Sequence, residues 1–206
     1  MISILNYGMG NIRSIQNALN FLGIESNVID SAAEIIQSHK LILPGVGSFR
    51  MAMENIRRQD FFYALNEVVL NKRIPILGIC LGMQLMAQES EEDGLTKGFG
   101  WIKGLLKRFP ADNPSIKIPH VGFNTVFFEK NDSVLFRGLN EKADFYHTHS
   151  YRIPYDAEVN EFSGWSLYGE RFVSCIESGN ICGTQFHPEK SQSNGLILLK
   201  NFAEFK

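Results

Sequence analysis

Along the first half of the chain, short runs of apolar residues alternate with segments in which apolar residues recur every three or four positions. Short apolar runs predict strands, and apolar residues spaced three and four positions apart predict helices. The predicted strands cover residues 2–6, 27–29, 40–43 and 74–79, and the predicted helices cover residues 12–22, 32–37, 49–57, 61–70 and 81–88, with Asn11 and Ser31 as N-caps of the first two. Since strands alternate with helices, the pattern predicts an α/β fold built on a parallel sheet with helices on both faces.

The second half of the chain is richer in strand-like segments. Predicted strands at 101–109, 121–129, 145–147, 171–178 and 181–186 are joined by turns that contain Gly, Asn and Pro, and a helical pattern returns at 193–205. The sheet is therefore expected to be mixed, with additional β structure in this half. Because no linker rich in Pro or Ser separates the halves, we expect one domain over residues 1–206.

Composition and charge exclude several classes of protein. Twenty Lys and Arg against 22 Asp and Glu give a formal charge of −2 over 206 residues, which does not favour nucleic-acid binding driven by electrostatics. The chain has no long uninterrupted apolar segment and does not begin like a signal peptide, so a cytoplasmic location without a membrane span is expected. Its three cysteines are widely spread and form no CxxC motif, which argues against a disulfide framework or structural zinc.

The strongest local signal lies around Cys80, in the sequence GICLG at residues 78–82. It follows a predicted strand and opens a predicted helix, as does the elbow that presents the nucleophile in many hydrolases. A helix N-terminus favours the thiolate and leaves backbone N–H groups, including that of Leu81, free to bind an oxyanion. A buried structural cysteine between two chance glycines is the alternative.

A thiolate nucleophile needs a proton carrier, and His187 is the best candidate. Glu189 lies two residues further on, within reach of the imidazole, and could orient it. The Gly-rich segment LPGVGS at residues 43–48, between a predicted strand and a predicted helix, could supply a second oxyanion donor. Taken alone, the segment that contains His187 and Glu189 is also typical of an exposed turn, and LPGVGS is typical of an ordinary glycine-rich loop.

Other motifs fail or remain weak. The segment Gly8-Met9-Gly10 is not a dinucleotide fingerprint, because Arg13 stands where the third glycine belongs, and no phosphate-binding P-loop is present. His147 and His149 could face the same way on a strand and bind a metal, but no third ligand is evident. We therefore expect neither metal nor cofactor. Cys175 and Cys182, in apolar strands, are expected to be core residues.

In combination, three motifs resemble the class I (triad) glutamine amidotransferases. They are LPGVGSF at 43–49, GICLGMQL at 78–85 and GTQFHPEKS at 183–191. Three further segments, NYGMGN at 6–11, PHVGFN at 119–124 and HSYR at 149–152, resemble the glutaminase subunits that serve histidine biosynthesis within that class. The resemblance covers nearly the whole chain and implies a flavodoxin-like α/β fold.

The resemblance implies a role for each matching residue. Cys80 would attack the side-chain amide of L-glutamine, His187 would protonate the departing ammonia and then activate water, and Glu189 would orient His187. The tetrahedral intermediate would be stabilised by Leu81 and the Gly45–Val46 peptide. The residues implied in binding glutamine are Gly47, Gln84, Glu92, Ser150 and Tyr151.

A partner is also implied by the resemblance. Ammonia would pass to a (β/α)8-barrel cyclase subunit, in a heterodimer, to reach a phosphorylated imidazole precursor. Asn11, Asn124 and Lys190 would face that subunit, with Lys190 in a salt bridge across the interface. Ligand binding by the partner would turn the Gly45–Val46 peptide into its donor geometry.

The sequence departs from the pattern at two places near the expected partner face. Phe123 stands where tryptophan is usual, and Tyr146-His147-Thr148 stands where tyrosine-phenylalanine-valine is usual. These differences leave open a related glutaminase that supplies ammonia for amination of bacterial surface sugars. Two further alternatives are a binding module with this fold but no activity, and a cysteine hydrolase that acts on esters or peptides.

Overall fold

A nine-stranded mixed sheet forms the centre of the computed structural model, which describes residues 1–111, 116–128, 133–156 and 162–205. The strands of both sheets are β1 (Ile2–Leu5), β2 (Ser26–Ile29), β3 (Leu41–Leu43), β4 (Ile76–Ile79), β5 (Glu89–Ser90), β6 (Thr96–Lys97), β7 (Leu105–Arg108), β8 (His120–Phe128), β9 (Lys142–His149), β10 (Tyr151–Arg152), β11 (Phe162–Tyr168), β12 (Glu170–Ser178) and β13 (Ile181–Thr184). The helices are α1 (Ile12–Phe21), α2 (Ala32–Gln37), α3 (Phe49–Arg58), α4 (Phe61–Asn66), α5 (Leu81–Leu85) and α6 (Gln192–Glu204).

The large sheet has a parallel and an antiparallel part. Its strand order is β2-β1-β3-β4-β13-β12-β11-β8-β9, and the pairs from β2 to β13 are parallel while those from β13 to β9 are antiparallel. A second, four-stranded sheet has the order β10-β7-β5-β6. In parallel α/β sheets, ligands bind at the carboxyl ends of the strands. The ends of β3, β4 and β13 therefore mark the edge where a site is expected.

Amphipathic helices cover both faces of the parallel strands. Helix α1 buries Ile15 and Leu19, and these residues belong to one core cluster together with Leu198 and Phe202 of α6. Helices α2 to α5 contribute to a second core cluster. The spacing of three and four residues in α1 is what places its apolar side chains on one face.

Helices α1 and α2 begin directly after the predicted cap residues Asn11 and Ser31, but only Ser31 makes a capping hydrogen bond with its side chain. The Ser31 hydroxyl accepts a hydrogen bond from the Glu34 amide at 3.4 Å and caps α2, and Ser48 caps α3 in the same way through Met51 at 3.4 Å. Asn11 precedes α1 but makes no capping hydrogen bond with its side chain. Asn11 therefore stands at the predicted N-cap position of α1 without capping the helix through its side chain.

Several predicted boundaries in the first half shift because tertiary contacts compete with the helical pattern. The helix expected over 81–88 ends at Leu85, since backbone amides of the segment 99–102 bind the carbonyls of Leu85, Met86 and Ala87. The helix expected over 61–70 becomes a π-helical turn from Glu67 to Asn71. Both corrections concern the last turn of a predicted helix, whose carbonyl groups have no partner within the helix and can accept hydrogen bonds from other segments.

The second half contains the larger corrections. The strand expected over 101–109 is restricted to Leu105–Arg108, because Trp101 stacks on Phe99 at 4.2 Å and Gly104 takes a φ of +147°. Strands β5, β6, β10 and β11 were not expected from the sequence. The strand predicted over 121–129 is β8, and its last residue, Glu129, lies outside the described residues.

The remaining predicted elements of this half are present with altered ends. The predicted strand 145–147 extends over Lys142–His149, and the one expected over 181–186 ends at Thr184, where Gln185 and Phe186 leave the sheet.

Among the residues that the structure describes, no helix combines the length and apolar character needed to cross a membrane.

Candidate active site

Cys80 lies at a sharp turn between strand β4 and helix α5. Its backbone has a φ of 53° and a ψ of −108°, a conformation that costs free energy for a residue with a side chain and is concentrated at functional sites. The turn closes because Gly82 lacks a side chain: a Cβ there would lie 1.8 Å from the carbonyl oxygen of Leu43. The amide of Cys80 donates to the carbonyl of Thr184 at 2.7 Å, which fixes the turn against the end of β13.

The Cys80 thiol is almost buried but borders a cavity. The residue is 5% exposed, and Sγ lies 3.8 Å from the carbonyl oxygen of Thr148 and 3.8 Å from Nε2 of Gln185. One contact comes from β9 and the other from the segment that follows β13. The sulfur therefore lies where the parallel part of the sheet meets its antiparallel edge.

His187 and Glu189 form a buried pair just after β13. Nδ1 of His187 lies 2.8 Å from Oε1 of Glu189, and the two side chains are 2% and 1% exposed. The backbone holds His187 from both sides, since its amide donates to the Tyr146 carbonyl at 2.8 Å and its carbonyl accepts from the Ser191 hydroxyl at 2.6 Å. Nε2 has no hydrogen-bond partner among the described residues and is available to a reacting group.

The electrostatic environment keeps His187 protonated. Burial by itself lowers the pKa of the imidazole, but the negative charges of Cys80 and Glu189 outweigh burial and raise the pKa to about 10. At neutral pH His187 is therefore an imidazolium, able to give up a proton. This coupling brings together the three residues that the sequence singled out as a candidate triad.

The 44–47 loop, which follows β3, is fastened beside the elbow. The Tyr7 hydroxyl donates to the Pro44 carbonyl at 2.7 Å, and Tyr7 is fully buried. Burial, followed by the charge of Cys80, raises the pKa of Tyr7, so its hydroxyl remains a donor. A Cβ on Gly45 would lie 2.7 Å from the Cβ of Leu81, so the loop meets the first residue of α5. The segments expected to form an oxyanion hole are thus adjacent.

A cavity of about 400 Å³ opens beside the sulfur. It is lined by Val46, Gly47, Cys80, Leu81, Gln84, Glu92, Pro119, Thr148, His149, Ser150 and Tyr151. All five residues that the resemblance assigned to glutamine binding are in this wall. Gly45, His187 and Glu189 are not among the residues that line the cavity. The sequence did not predict that Pro119, Thr148 and His149 line this cavity, although the first and last begin the motifs PHVGFN and HSYR.

Two polar groups of the wall have well-defined partners. Glu92 accepts a hydrogen bond from the Phe49 amide at 2.7 Å, at the start of α3. Burial outweighs that bond and raises the pKa of Glu92, and the neighbouring Asp93 adds to the effect. Gln84 donates through Nε2 to the Tyr151 carbonyl at 3.1 Å and to Oε1 of Gln185 at 3.0 Å. Gln84 thus orients the strand that carries Tyr151.

The three residues expected at a partner interface have different surroundings. Lys190 is exposed, with Nζ 5.7 Å from the centre of the Tyr146 ring. Asn11 is partly exposed at the start of α1. Asn124 is partly exposed, but its side-chain amide is engaged within the chain, since Nδ2 donates to the Leu167 carbonyl at 3.1 Å. Only the first two therefore present side chains that the described contacts leave open to a partner.

His120 joins His147 and His149 in a cluster that the sequence spacing could not reveal. Nδ1 of His120 lies 3.2 Å from Nε2 of His149, whose Nδ1 lies 2.8 Å from the Tyr151 carbonyl. Burial lowers the pKa of His120 to about 4 and that of His149 to about 3, and it holds the pKa of His147 well below its ordinary value. All three imidazoles are neutral at neutral pH.

Cys175 and Cys182 are both fully buried, as expected of core residues. Burial raises the pKa of the Cys182 thiol well above its ordinary value. Since thiolate is the reactive form of cysteine, this environment is typical of an inert side chain.

Comparison with known proteins agrees with this geometry. A family model described as glutamine amidotransferase class-I matches residues 3–204. A protein named imidazole glycerol phosphate synthase subunit HisH from Moorella thermoacetica is 46% identical over 204 residues, which cover 98% of this chain and 94% of that protein. The subunit HisH of Chlorobaculum tepidum is 45% identical over 205 residues, covering 100% of both chains. A protein named subunit HisH 1 from Campylobacter jejuni is 42% identical over 203 residues, with 98% and 99% coverage.

Solved structures share the fold at lower sequence identity. PurLQS from Thermotoga maritima superposes with a TM-score of 0.73 at 18% identity, covering 98% of this chain and 97% of that one. A putative GMP synthase subunit from Thermoplasma acidophilum gives a TM-score of 0.71 at 20% identity, with 98% and 92% coverage. The predicted fold class, a mixed α/β sheet flanked by helices, is confirmed.

Proposed function

Because the chain belongs to the class I glutamine amidotransferases, we propose that it is the glutaminase subunit of an imidazole glycerol phosphate synthase. It hydrolyses L-glutamine to glutamate and ammonia, and the ammonia serves the formation of histidine. The observation that carries this proposal is 45–46% identity, along nearly the whole chain, to subunits of that synthase. The grouping of Cys80, His187 and Glu189 beside a cavity of about 400 Å³ supports it.

The first half of the reaction uses the proton of His187. The Cys80 thiolate attacks the amide carbon of glutamine, forming a carbon–sulfur bond while the carbonyl electrons move to oxygen. As the carbon–nitrogen bond breaks, Nε2 of His187 gives its proton to the nitrogen, which leaves as ammonia. The raised pKa of His187, to about 10, ensures that this proton is present at neutral pH. A thioester remains on Cys80.

The second half of the reaction returns the proton to His187. Water attacks the thioester carbon and passes a proton to Nε2 of the now neutral imidazole. The tetrahedral intermediate then collapses, glutamate leaves, and the thiolate and imidazolium are restored. Glu189 acts through Nδ1, at 2.8 Å, by holding the ring orientation and stabilising its charged form.

Each tetrahedral intermediate carries a negative oxygen that needs hydrogen-bond donors, and the candidate donors lie at the start of α5. The amide of Leu81, as the first residue of that helix, has no partner within the helix. The Gly45–Val46 peptide lies beside it, in a loop whose glycines permit a change of conformation. Two backbone donors aimed at the oxyanion are worth several kcal/mol in the transition state, or about 10²–10³-fold in rate for each.

The far end of glutamine has a charged partner in the same cavity. Glu92 is partly buried there and offers a carboxylate to the α-ammonium group. Ser150 and Tyr151 lie on the opposite stretch of the wall, at the start of β10, where backbone amides can meet the α-carboxylate. Gln84 holds that stretch in place through the Tyr151 carbonyl.

Ammonia is delivered to a (β/α)8-barrel cyclase subunit that docks on the outer face of β8, β9 and β11. Val121, Phe123 and Leu167 are 56%, 51% and 58% exposed there, an apolar surface for a monomer to leave open to water. Phe123 contacts Tyr146 edge-on at 5.7 Å between ring centres, and Lys190 lies over the same tyrosine. Lys190 would contribute a salt bridge at the edge of this face.

Glutamate release measured without and with a cyclase barrel tests the proposal. The chain alone, with the barrel, and with the barrel plus its nucleotide ligand are compared, and Cys80→Ala serves as the inactive control. Strong stimulation by the barrel that is lost by at least about 10⁴-fold in the control is expected. Activity that this barrel never raises would contradict the histidine role and favour an aminating partner of surface-sugar synthesis. Equal hydrolysis of esters and glutamine would contradict the glutaminase assignment itself.

A further inference from the structure

Three histidines occupy one face of the β8–β9 pair, where none of them has a part in the chemistry described above. His120 is the cross-strand partner of His149, and Gly122 is the partner of His147. Cross-strand partners share a face and so do alternate residues along a strand, so the register directs all three imidazoles to the same side. A Cβ on Gly122 would meet nothing within 4 Å, which leaves open space opposite His147.

The ring nitrogens are close enough to bind one ion together. The three candidate ligand atoms lie within 4.8 Å of one another, and the His120–His149 pair is 3.2 Å apart. Two imidazole nitrogens bound tetrahedrally at 2.0–2.1 Å are about 3.3 Å apart. The His120–His149 pair already has that spacing, and each distance from the His147 nitrogen to the other two must shorten by at most about 1.5 Å to complete the site.

Of the three histidines, His147 is the one whose ring nitrogens make no hydrogen bond to the described residues. It is fully buried, and neither ring nitrogen has a hydrogen-bond partner among the described residues. Its ring is edge-on to Phe172 and Phe186, each with 5.7 Å between centres. A buried polar group without a partner costs free energy, so packing alone is a poor explanation for an imidazole among phenylalanines.

The surroundings of the other two rings suit metal binding. The Tyr151 carbonyl accepts from Nδ1–H of His149 at 2.8 Å, which leaves the lone pair of Nε2 pointing into the cluster. Nδ2 of Asn124 donates to Nε2 of His120 at 3.3 Å. Binding of an ion at Nδ1 of His120 therefore requires the Asn124 amide to turn over, so that Oδ1 accepts from Nε2–H and the bond from Nδ2 to the Leu167 carbonyl is given up.

We propose that His120, His147 and His149 form a binding site for one divalent late transition-metal ion, with Zn²⁺ as the probe. Imidazole nitrogens prefer such ions over Mg²⁺ or Ca²⁺, which require oxygen ligands. Three histidines leave a fourth position for water or another ligand. His149 also lines the cavity beside Cys80, which provides an entry path. The proposal departs from the expectation, drawn from His147 and His149 alone, that the chain binds no metal.

Zinc binding must be measured without the thiol, because Cys80 and His187 could themselves hold the ion. Equilibrium dialysis with metal analysis therefore compares Cys80→Ala with the double variant Cys80→Ala/His147→Phe. The first should bind one Zn²⁺ per chain, and the second should bind it at least about 100-fold more weakly, since even outer-shell changes cost 10–100-fold. Phenylalanine fits the apolar surroundings of position 147, and His39→Gln, at an exposed histidine, is the matched control with unchanged affinity.

Cobalt provides an independent spectroscopic signature. Co²⁺ bound to Cys80→Ala should give visible d–d bands without a sulfur charge-transfer band, and His120→Gln in the same background should abolish them. Circular dichroism of each variant confirms that the fold is kept. Absence of binding in Cys80→Ala, or equal affinity with and without His147, would overturn the proposal. The measurement requires neither glutamine nor a partner, so its failure is separate from failure of the proposed function.

Discussion

Gly82 lies where helix α5 meets the end of strand β3, and a single methyl group at this position tests the geometry of the site. A Cβ at Gly82 would lie 1.8 Å from the carbonyl oxygen of Leu43, whereas such contacts essentially never fall below 3.0 Å. Gly82→Ala must therefore separate α5 from β3 by at least about 1.2 Å. Since β3 leads into the 44–47 loop and α5 begins after Cys80, the displacement separates the nucleophile from its proposed oxyanion donors.

The expected effect on activity is larger than the effect on stability. Overpacking costs about 1–3 kcal/mol, and in a chain of this size each kcal/mol lowers Tm by about 2–4 °C. A misplacement of about 1 Å in a catalytic group can reduce the rate about 10²-fold. We expect Gly82→Ala to lower Tm by about 2–12 °C and to reduce kcat/KM for glutamine at least 100-fold, with calorimetry and glutamate release as the two assays.

Gly164→Ala is the matched control for Gly82→Ala. A Cβ at Gly164 would lie 2.6 Å from Sγ of Cys175, in the β11–β12 pair and away from the cavity. This variant should lose stability but retain kcat/KM below its transition temperature. The reasoning is refuted if Gly82→Ala keeps more than about a tenth of the wild-type kcat/KM, or if both variants lose activity alike.

Three further predictions concern hydrogen bonds and charge. Tyr7→Phe leaves a buried carbonyl of the 44–47 loop unpaired and should cost about 1–3 kcal/mol in urea unfolding, whereas Tyr63→Phe, at an exposed tyrosine, should cost nothing measurable. Glu189→Gln removes one of the charges that raise the pKa of His187 to about 10, so the NMR titration midpoint of that ring should fall by more than about one unit. A raised histidine pKa stabilises the fold, and this contribution is lost as pH rises through the folded-state pKa. The stability difference between wild type and Glu189→Gln should therefore be present at neutral pH, shrink as pH rises towards about 10 and vanish above that pH, and a constant difference would contradict the pairing. Lys190→Ala should weaken binding to the barrel about 2–5-fold by calorimetry, and an unchanged Kd would remove the proposed salt bridge.

Sequence reasoning succeeded where a feature depends on neighbouring residues. Helix α1 was predicted because Ile15 and Leu19 fall on one face whatever they pack against, and Ser31 caps α2 through a residue three positions away. The elbow around Cys80 follows the same logic, since its turn needs small residues on both sides. His187 and Glu189, two residues apart, could be paired on spacing alone. Each of these features depends on residues that lie within a few positions of one another in the sequence.

Sequence reasoning failed where distant segments compete for backbone groups. The end of α5 is decided by amides near residue 100 that bind its carbonyls, and no pattern within the helix shows this. Strand β11 contains Gly164 in an irregular pairing with β12, so its composition resembles that of a loop. Trp101 leaves the predicted strand because it stacks on Phe99 and donates through Nε1 to Asn66 at 2.8 Å.

The register in which β9 pairs with β8 decides which side chains of β9 lie near Cys80 and which lie in the histidine cluster. The Thr148 carbonyl lies 3.8 Å from the sulfur, and the side chains on either side of it, His147 and His149, turn inward to the histidine cluster. Their partners on β8, Gly122 and His120, decide whether that inward face is packed or open, and they lie at least 25 residues away along the chain. An ion held by both histidines would restrain the backbone on each side of Thr148. The proposed metal site and the candidate nucleophile are therefore mechanically linked through a single residue of β9, a relation that only the pairing of β8 with β9 creates.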